Sequence, residues 1–284
     1  MKPHYAKYLA LGLFLALAVL PLLAGLGYAL AYSLGLVGFR SAGLTLVHWE
    51  AVLGSTFFWR TLAFSAYVAV MTIGLAVGAA LWMVVTRPQA FLQGSLSLFI
   101  YFPLSIPAIV MAFFVFQMLS GGGLLSRIGY QLGLMEGLEQ FPGLVNDTWG
   151  IGIITAHFLM AAPFFVILFA NLYDNEKLAA LVQLARTLGA NPRQAAWRVA
   201  APVLLQRAFA AIVLYGLFVM GAYEAPLLLG SQSQQMVSVL TIQKLQRFNL
   251  ADIPQAYVIS VAYAVLVLTL AVWLLGRGKR GDAR

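Results

Sequence analysis

One acidic side chain falls inside the long apolar stretches of this sequence: Glu224, in the run GLFVMGAYEAPLLLG at residues 216–230. A carboxylate in such surroundings is costly unless it is paired or turned toward water. Lining a passage, it would favour a cation, with Tyr215, Phe218 and Tyr223 offering aromatic faces to an ammonium group. Marking only the outer end of a helix, it would instead meet Lys244, Arg247 or headgroup water. The sequence leaves both readings open. His157, alone among apolar neighbours, reads first as a satisfied packing residue and only second as a proton relay, as do Gln117 and Asn171. No carboxylate pair, metal-ligand spacing or nucleophile–base arrangement stands out. The chain has no cysteine, which removes disulfides, thiolate chemistry and sulfur-ligated metals. With none of these arrangements the chain is expected to hold no cofactor or metal and to catalyse no reaction, and with no phosphate-binding G-x-x-x-x-G-K-[ST] motif any nucleotide-driven step is expected to belong to another polypeptide.

A second group of residues is mechanical rather than chemical. Asp174 to Arg207 carries five of the seventeen Lys and Arg residues, between two long apolar segments. Leu178, Leu181, Val182 and Ala185 fall at i, i+3, i+4 and i+7, the spacing of an amphipathic helix. Gly189 suits the left-handed position that closes it. Asn191 then caps a second helix, with Pro192 at its first position and Gln194 three residues past the cap. Pro202 is expected to break that second helix. Two short helices at a bend make a docking surface.

The elements that must position these groups follow from composition. Of 284 residues, 62% are hydrophobic and 9% charged, against about 25% charged in a soluble domain. Mean hydropathy is +0.89. The expected fold is an all-α integral membrane protein, one polytopic domain over residues 1–284. Six stretches reach the ~20 residues a bilayer-crossing helix needs: about 9–34, 62–85, 95–119, 150–173, 208–230 and 254–275, with the polar loop 174–207 between the fourth and fifth. The first could be mistaken for a signal peptide, but it is about twice the ~7–15 residues of such an apolar core. Gly74 and Gly78 have the spacing that lets helices approach closely. Pro103 and Pro107 interrupt the third stretch, which is tolerable only against protein or a wet cavity.

The net charge of +8 would elsewhere suggest nucleic acid. Here it follows the bias of basic residues to the cytoplasmic side. With both termini inside, twelve of the seventeen basic residues are cytoplasmic: Lys2, Lys7, Arg87, Lys177, Arg186, Arg193, Arg198, Arg207, Arg277, Lys279, Arg280 and Arg284. Arg40, Arg60, Arg127, Lys244 and Arg247 are outside. The bend at Gly189 is therefore expected to face the cytoplasm.

Residues 183–202, QLARTLGANPRQAAWRVAAP, resemble the Glu-Ala-Ala loop of binding-protein-dependent ABC importer permeases. Ala185, Gly189 and Pro202 match that signature, and Leu188 closes the three-residue gap before the glycine. Ala190, Pro192, Trp197 and Arg198 stand where common family residues stand. Gln183 replaces the usual Glu, and Leu184 the first Ala. Arg87-Pro88 and the Phe102–Pro107 run look like the same permeases, so the resemblance spans about residues 55–275. The run around Glu224 resembles the polyamine (spermidine/putrescine) branch.

The resemblance implies a permease subunit of an ATP-driven importer, in the inner membrane of a prokaryote. Gln183, Leu184, Ala185, Leu188, Gly189, Ala190, Asn191, Pro192, Trp197, Arg198 and Pro202 would then seat in a separate ATPase subunit, which holds ATP and magnesium. A second permease, a different chain or a copy of this one, would complete the path. A soluble binding protein would deliver the cargo, a polyamine or another small solute such as iron(III), thiamine or an oxyanion. Three competing readings are an ATP-independent channel or carrier, an intramembrane hydrolase using His157, and an interfacial helix at 174–207 lying on lipid.

Overall fold

The computed structural model describes residues 3–38, 43–87 and 96–281. Lys2, Arg40, Pro88, Ser95 and Arg284 lie outside the described residues. Every regular element among the described residues is helical. In chain order these are α1 (Pro3–Phe14), α2 (Leu20–Ser33), α3 (Val47–Leu53), α4 (Thr56–Thr86), α5 (Leu96–Leu104), α6 (Ala108–Leu119) and α7 (Leu124–Gln131). There follow α8 (Ile151–Asn175), α9 (Leu178–Thr187), α10 (Pro192–Ala195), α11 (Ala201–Met220), α12 (Glu224–Leu229), α13 (Val237–Gln246) and α14 (Asp252–Gly281). Six helical segments are long and apolar enough to cross a membrane: Lys7–Ser33, Thr56–Thr86, Ala108–Gln131, Ile151–Asn175, Pro192–Met220 and Asp252–Gly276.

Two of these segments carry a proline just after a π turn. A π turn at Leu15–Val19 joins α1 to α2 just before Pro21, with the Leu20 N–H reaching the Leu15 carbonyl. A second π turn at Ala196–Ala200 joins α10 to α11 just before Pro202. A proline lacks the N–H that would bond four residues back, and its ring crowds that carbonyl. One wider turn upstream absorbs both effects. The expectation that Pro202 breaks the second short helix is therefore corrected: the helix that starts at Pro192 continues to Met220.

Two expected spans are corrected in the opposite sense. The stretch 95–119 is not one helix, since α5 ends at Leu104 and α6 starts at Ala108. Pro107, at φ −58° and ψ 147°, is extended and lies outside both. The stretch 208–230 is also divided: α11 stops at Met220, Gly221–Tyr223 is irregular, and α12 is a separate six-residue helix.

By internal contacts the chain divides into two units, residues 1–60 with 240–268, and residues 61–239 with 269–284. In the first, α2 closes at Gly35 (φ +72°), where the Leu36 N–H reaches the Ala31 carbonyl at 3.0 Å. Tyr32 stacks on Tyr257 at 4.4 Å between ring centroids, and Tyr28 meets the same ring edge-on. Lys244 donates to Asp252 at 3.2 Å and to Gln255 at 2.7 Å, a largely buried pair at the start of α14. No residue in the most apolar window of Lys7–Ser33 is buried, as expected of a leucine-rich helix that meets lipid or another chain.

In the second unit, α4 buries Thr61, Ser65, Val68, Thr72, Ala76 and Ala80, a stripe at helical spacing. α8 buries the small residues Ala156, Ala161 and Ala170 along with the large Phe165 and Phe169. Small side chains let membrane helices approach closely where lipid supplies no hydrophobic drive between them. Ser65 also accepts from the Val237 N–H at 2.9 Å, capping α13 from a different helix. The short α12 packs against α6 and α8.

The start of α8 is set by two residues. The Asp147 carboxylate accepts from the N–H groups of Trp149 and Ile151, each at 2.9 Å, satisfying donors that the helix leaves open. Gly150 turns the chain at φ +68°, where an added Cβ would stand 3.0 Å from Phe64 Cζ. Gly150→Ala is expected to lower stability by about 1–2 kcal/mol through the left-handed backbone alone. Thermal unfolding of the detergent-solubilised protein would register that loss.

Candidate coupling surface and passage

The bend is assembled from local signals that agree with one another. At the end of α9, the Gly189 N–H bonds to the Arg186 carbonyl and the Ala190 N–H to the Ala185 carbonyl, both at 3.0 Å. This paired closure requires a left-handed residue, and Gly189 supplies it at φ +94°. Two residues on, Gln194 N–H donates to Asn191 Oδ1 at 2.8 Å while Asn191 N–H donates to Gln194 Oε1 at 3.1 Å. That reciprocal capping box, with Pro192 in the first turn, starts α10. Asn191→Ala removes one half of the box and is expected to destabilise this helix start by about 1 kcal/mol. Faster amide exchange at residues 193–195, with the spans unaffected, is the check.

The bend has an inward and an outward side. Leu178, Ala195, Ala200, Ala201 and Leu204 are buried and form its core. Leu184, Leu188 and Trp197 are exposed, Leu188 to 82%. Gln183, at the position of the family's usual Glu, is exposed too, while Ala185 and Ala190 are half-buried and Pro202 is exposed. Asn191, Arg193, Gln194, Trp197 and Arg198 line an open hollow beside the bend. The sequence-predicted surface residues thus share one end of the molecule's second unit. Apolar groups at the tip of a tightly bonded turn, with the guanidinium groups of Arg193 and Arg198 beside Trp197, are the makings of a protein contact.

The candidate passage residues separate into two sets. Tyr215 and Phe218, one turn apart on α11, lie 5.8 Å apart. Tyr215 also meets Phe164 at 5.1 Å and Phe165 at 5.4 Å. The sequence reading missed Phe164 and Phe165, because their closeness to Tyr215 is set by the packing of α8 on α11. Tyr223 and Glu224 lie beyond the break after Met220. Glu224 is exposed in the first turn of α12, and it takes part in none of the ion pairs found among the described residues. Lys244 and Arg247, its expected neighbours at the outer boundary, are both held by Asp252.

His157 is 3% exposed on α8, and its Nε2 has no hydrogen-bond partner among the described residues. It is a packing residue as expected, but not a satisfied one. The Glu224 carboxylate lies within electrostatic reach of its ring. No group of three or more His, Asp or Glu residues able to hold a metal occurs among the described residues.

The sequence profile of the family described as "Binding-protein-dependent transport system inner membrane component" matches residues 72–277. The chain belongs to this family of membrane permeases, in which ATP hydrolysis is the work of a separate subunit. A chain of a bacterial alginate ABC transporter, crystallised with an alginate pentasaccharide-bound periplasmic protein, has the same fold at a TM-score of 0.74. It is 16% identical, and the match covers 97% of this chain and 93% of that one. A second crystal structure, of a bacterial ABC transporter importing the acidic polysaccharide alginate, gives 0.75 at 16% identity, covering 97% and 94%. A sequence comparison with curated proteins found no match.

Proposed function

We propose that this chain is the permease of an ATP-driven importer in a prokaryotic inner membrane, with the Gly189 bend seated in a cytoplasmic ATPase. The observation that carries the proposal is the bend itself. Its backbone is fixed by a paired closure and a capping box, yet its most exposed apolar side chain, Leu188, stands at the tip. A loop ordered so thoroughly and left apolar at its apex is a surface awaiting a partner. The bias of basic residues supports a cytoplasmic position for it. Both termini are then cytoplasmic too.

A second permease completes the path, a soluble binding protein delivers cargo from outside, and two ATPase subunits drive the switch between inward-open and outward-open forms. The alginate transporter, crystallised with its periplasmic protein, supports such a binding-protein partner. ATP and magnesium belong to the ATPase, and this chain holds no cofactor. The proposed cargo is a small cation of the polyamine type. Glu224, outside the ion pairs of the described residues, supports this reading, with Tyr223 next to it in the chain and the rings of Tyr215 and Phe218 on α11. A second reading, an anionic saccharide cargo, draws on the same alginate transporters.

Co-expression with an ATPase and a second permease encoded nearby, followed by reconstitution in vesicles, tests the assignment. ATP-dependent uptake of a radiolabelled polyamine, in the presence of the binding protein, is the expected result. Transport by this chain alone without ATP would overturn it in favour of a channel or carrier.

A further inference from the structure

The joint between α8 and the bend has features that the docking surface does not explain. Lys177 adopts φ +51° and ψ +39°, one of two non-glycine residues with positive φ among the described residues. An L residue with a full side chain is strained in this region. The surroundings hold it there. The Lys177 N–H donates to the Asp174 carbonyl and its own carbonyl accepts from the Ala180 N–H, both at 3.0 Å. The next side chain, Leu178, is fully buried. The preceding one, Glu176, is gripped side-on by Arg207: Nε lies 2.9 Å from Oε1 and Nη2 lies 3.5 Å from Oε2. Arg207 is thirty-one residues later, on α11. The point where the chain leaves α8 is thus tied to the helix by which it returns.

We propose that Glu176, Lys177 and Arg207 are positioning residues that make this joint rigid. A displacement at Leu188 and Trp197 then reaches α8 and α11 instead of being absorbed where the bend leaves the span. The inference rests on the docking role of the bend proposed above and names the parts that transmit its motion. A half-exposed ion pair contributes little to stability, so its geometry is the property that matters: a two-point fork fixes an angle as well as a distance.

The test measures transported solute per ATP hydrolysed, with the complete reconstituted complex, alongside its melting temperature. Glycine accepts the left-handed conformation without strain, so Lys177→Gly is expected to melt no lower than the wild type while solute per ATP falls about fivefold. A residue that serves only to shape the turn would give no such split. Glu176→Arg and Arg207→Glu are each expected to lower the ratio, and the double swap Glu176→Arg with Arg207→Glu to restore most of it. Wild-type ratios in Lys177→Gly and in both single reversals, with Gly189→Asp still uncoupled, would overturn the joint and leave the docking role standing. Wild-type ratios in Gly189→Asp as well would remove the docking role itself.

Discussion

In the reconstituted complex, Gly189→Asp is expected to leave ATP hydrolysis running while solute uptake falls by about 5- to 150-fold, the range of an ordinary coupling free energy. The spans should be untouched. A Cβ at Gly189 meets nothing within 4 Å, and the left-handed backbone there, φ +94°, strains an L residue only locally, Asp and Asn least. The substitution acts on the interface instead, by setting a carboxylate beside Leu188 in a contact built from apolar side chains. A charge buried there without a partner is costly. Gly189→Asn, which tolerates the same backbone and carries no charge, is the matched control and should keep most of the coupling. Uptake and phosphate release measured on the same vesicles check both. Normal uptake by the aspartate variant would remove the bend from the transport cycle.

Glu224→Gln is expected to lower uptake of a polyamine about tenfold, the scale of one charge-assisted contact. Uptake of a neutral solute, if the complex carries one, should change little. The isosteric amide keeps the size of the side chain and its exposure, so the protein's melting temperature should not move. The carboxylate begins α12, where a negative charge favours the helix slightly, and that contribution is too small to mimic a transport defect. The same variant separates the two cargo readings. For an anionic saccharide, loss of the carboxylate would leave uptake unchanged or raise it.

These two predictions draw on parts of the molecule that were unequally legible in the sequence. The bend was readable residue by residue, because each of its signals is local. Gly189 closes α9 and Asn191 opens α10 within a few residues of each other, and both act through their own backbone neighbours. The spans were readable as apolar stretches, with the bend between two of them. What the sequence did not disclose depended on longer range or on adaptation of the backbone. Pro202 looked like a helix break, but the π turn at Ala196–Ala200 lets the helix run through it. In the stretch 208–230, apolar residues on both sides of Gly221 hid the end of α11 at Met220, since Ala222 and Tyr223 are acceptable in a helix. The ring contacts of Tyr215 with Phe164 and Phe165 join two spans. The Glu176–Arg207 pair crosses thirty-one residues, and neither charge looks different in sequence from a solvated one.

Transport couples to hydrolysis only if the contacts at the bend differ between the two states of the complex. Any such difference requires the bend to sit against the ATPase on the cytoplasmic face, and the most direct test of that seat uses Leu188, the most exposed apolar side chain of the bend. Because the chain has no cysteine, Leu188→Cys supplies a unique thiol. In sealed, right-side-out vesicles a membrane-impermeant maleimide should not label it. In inverted vesicles it should be labelled when the ATPase has been stripped away and protected when the ATPase is rebound. Labelling from the outer face, or labelling in inverted vesicles that the ATPase does not alter, would contradict the account.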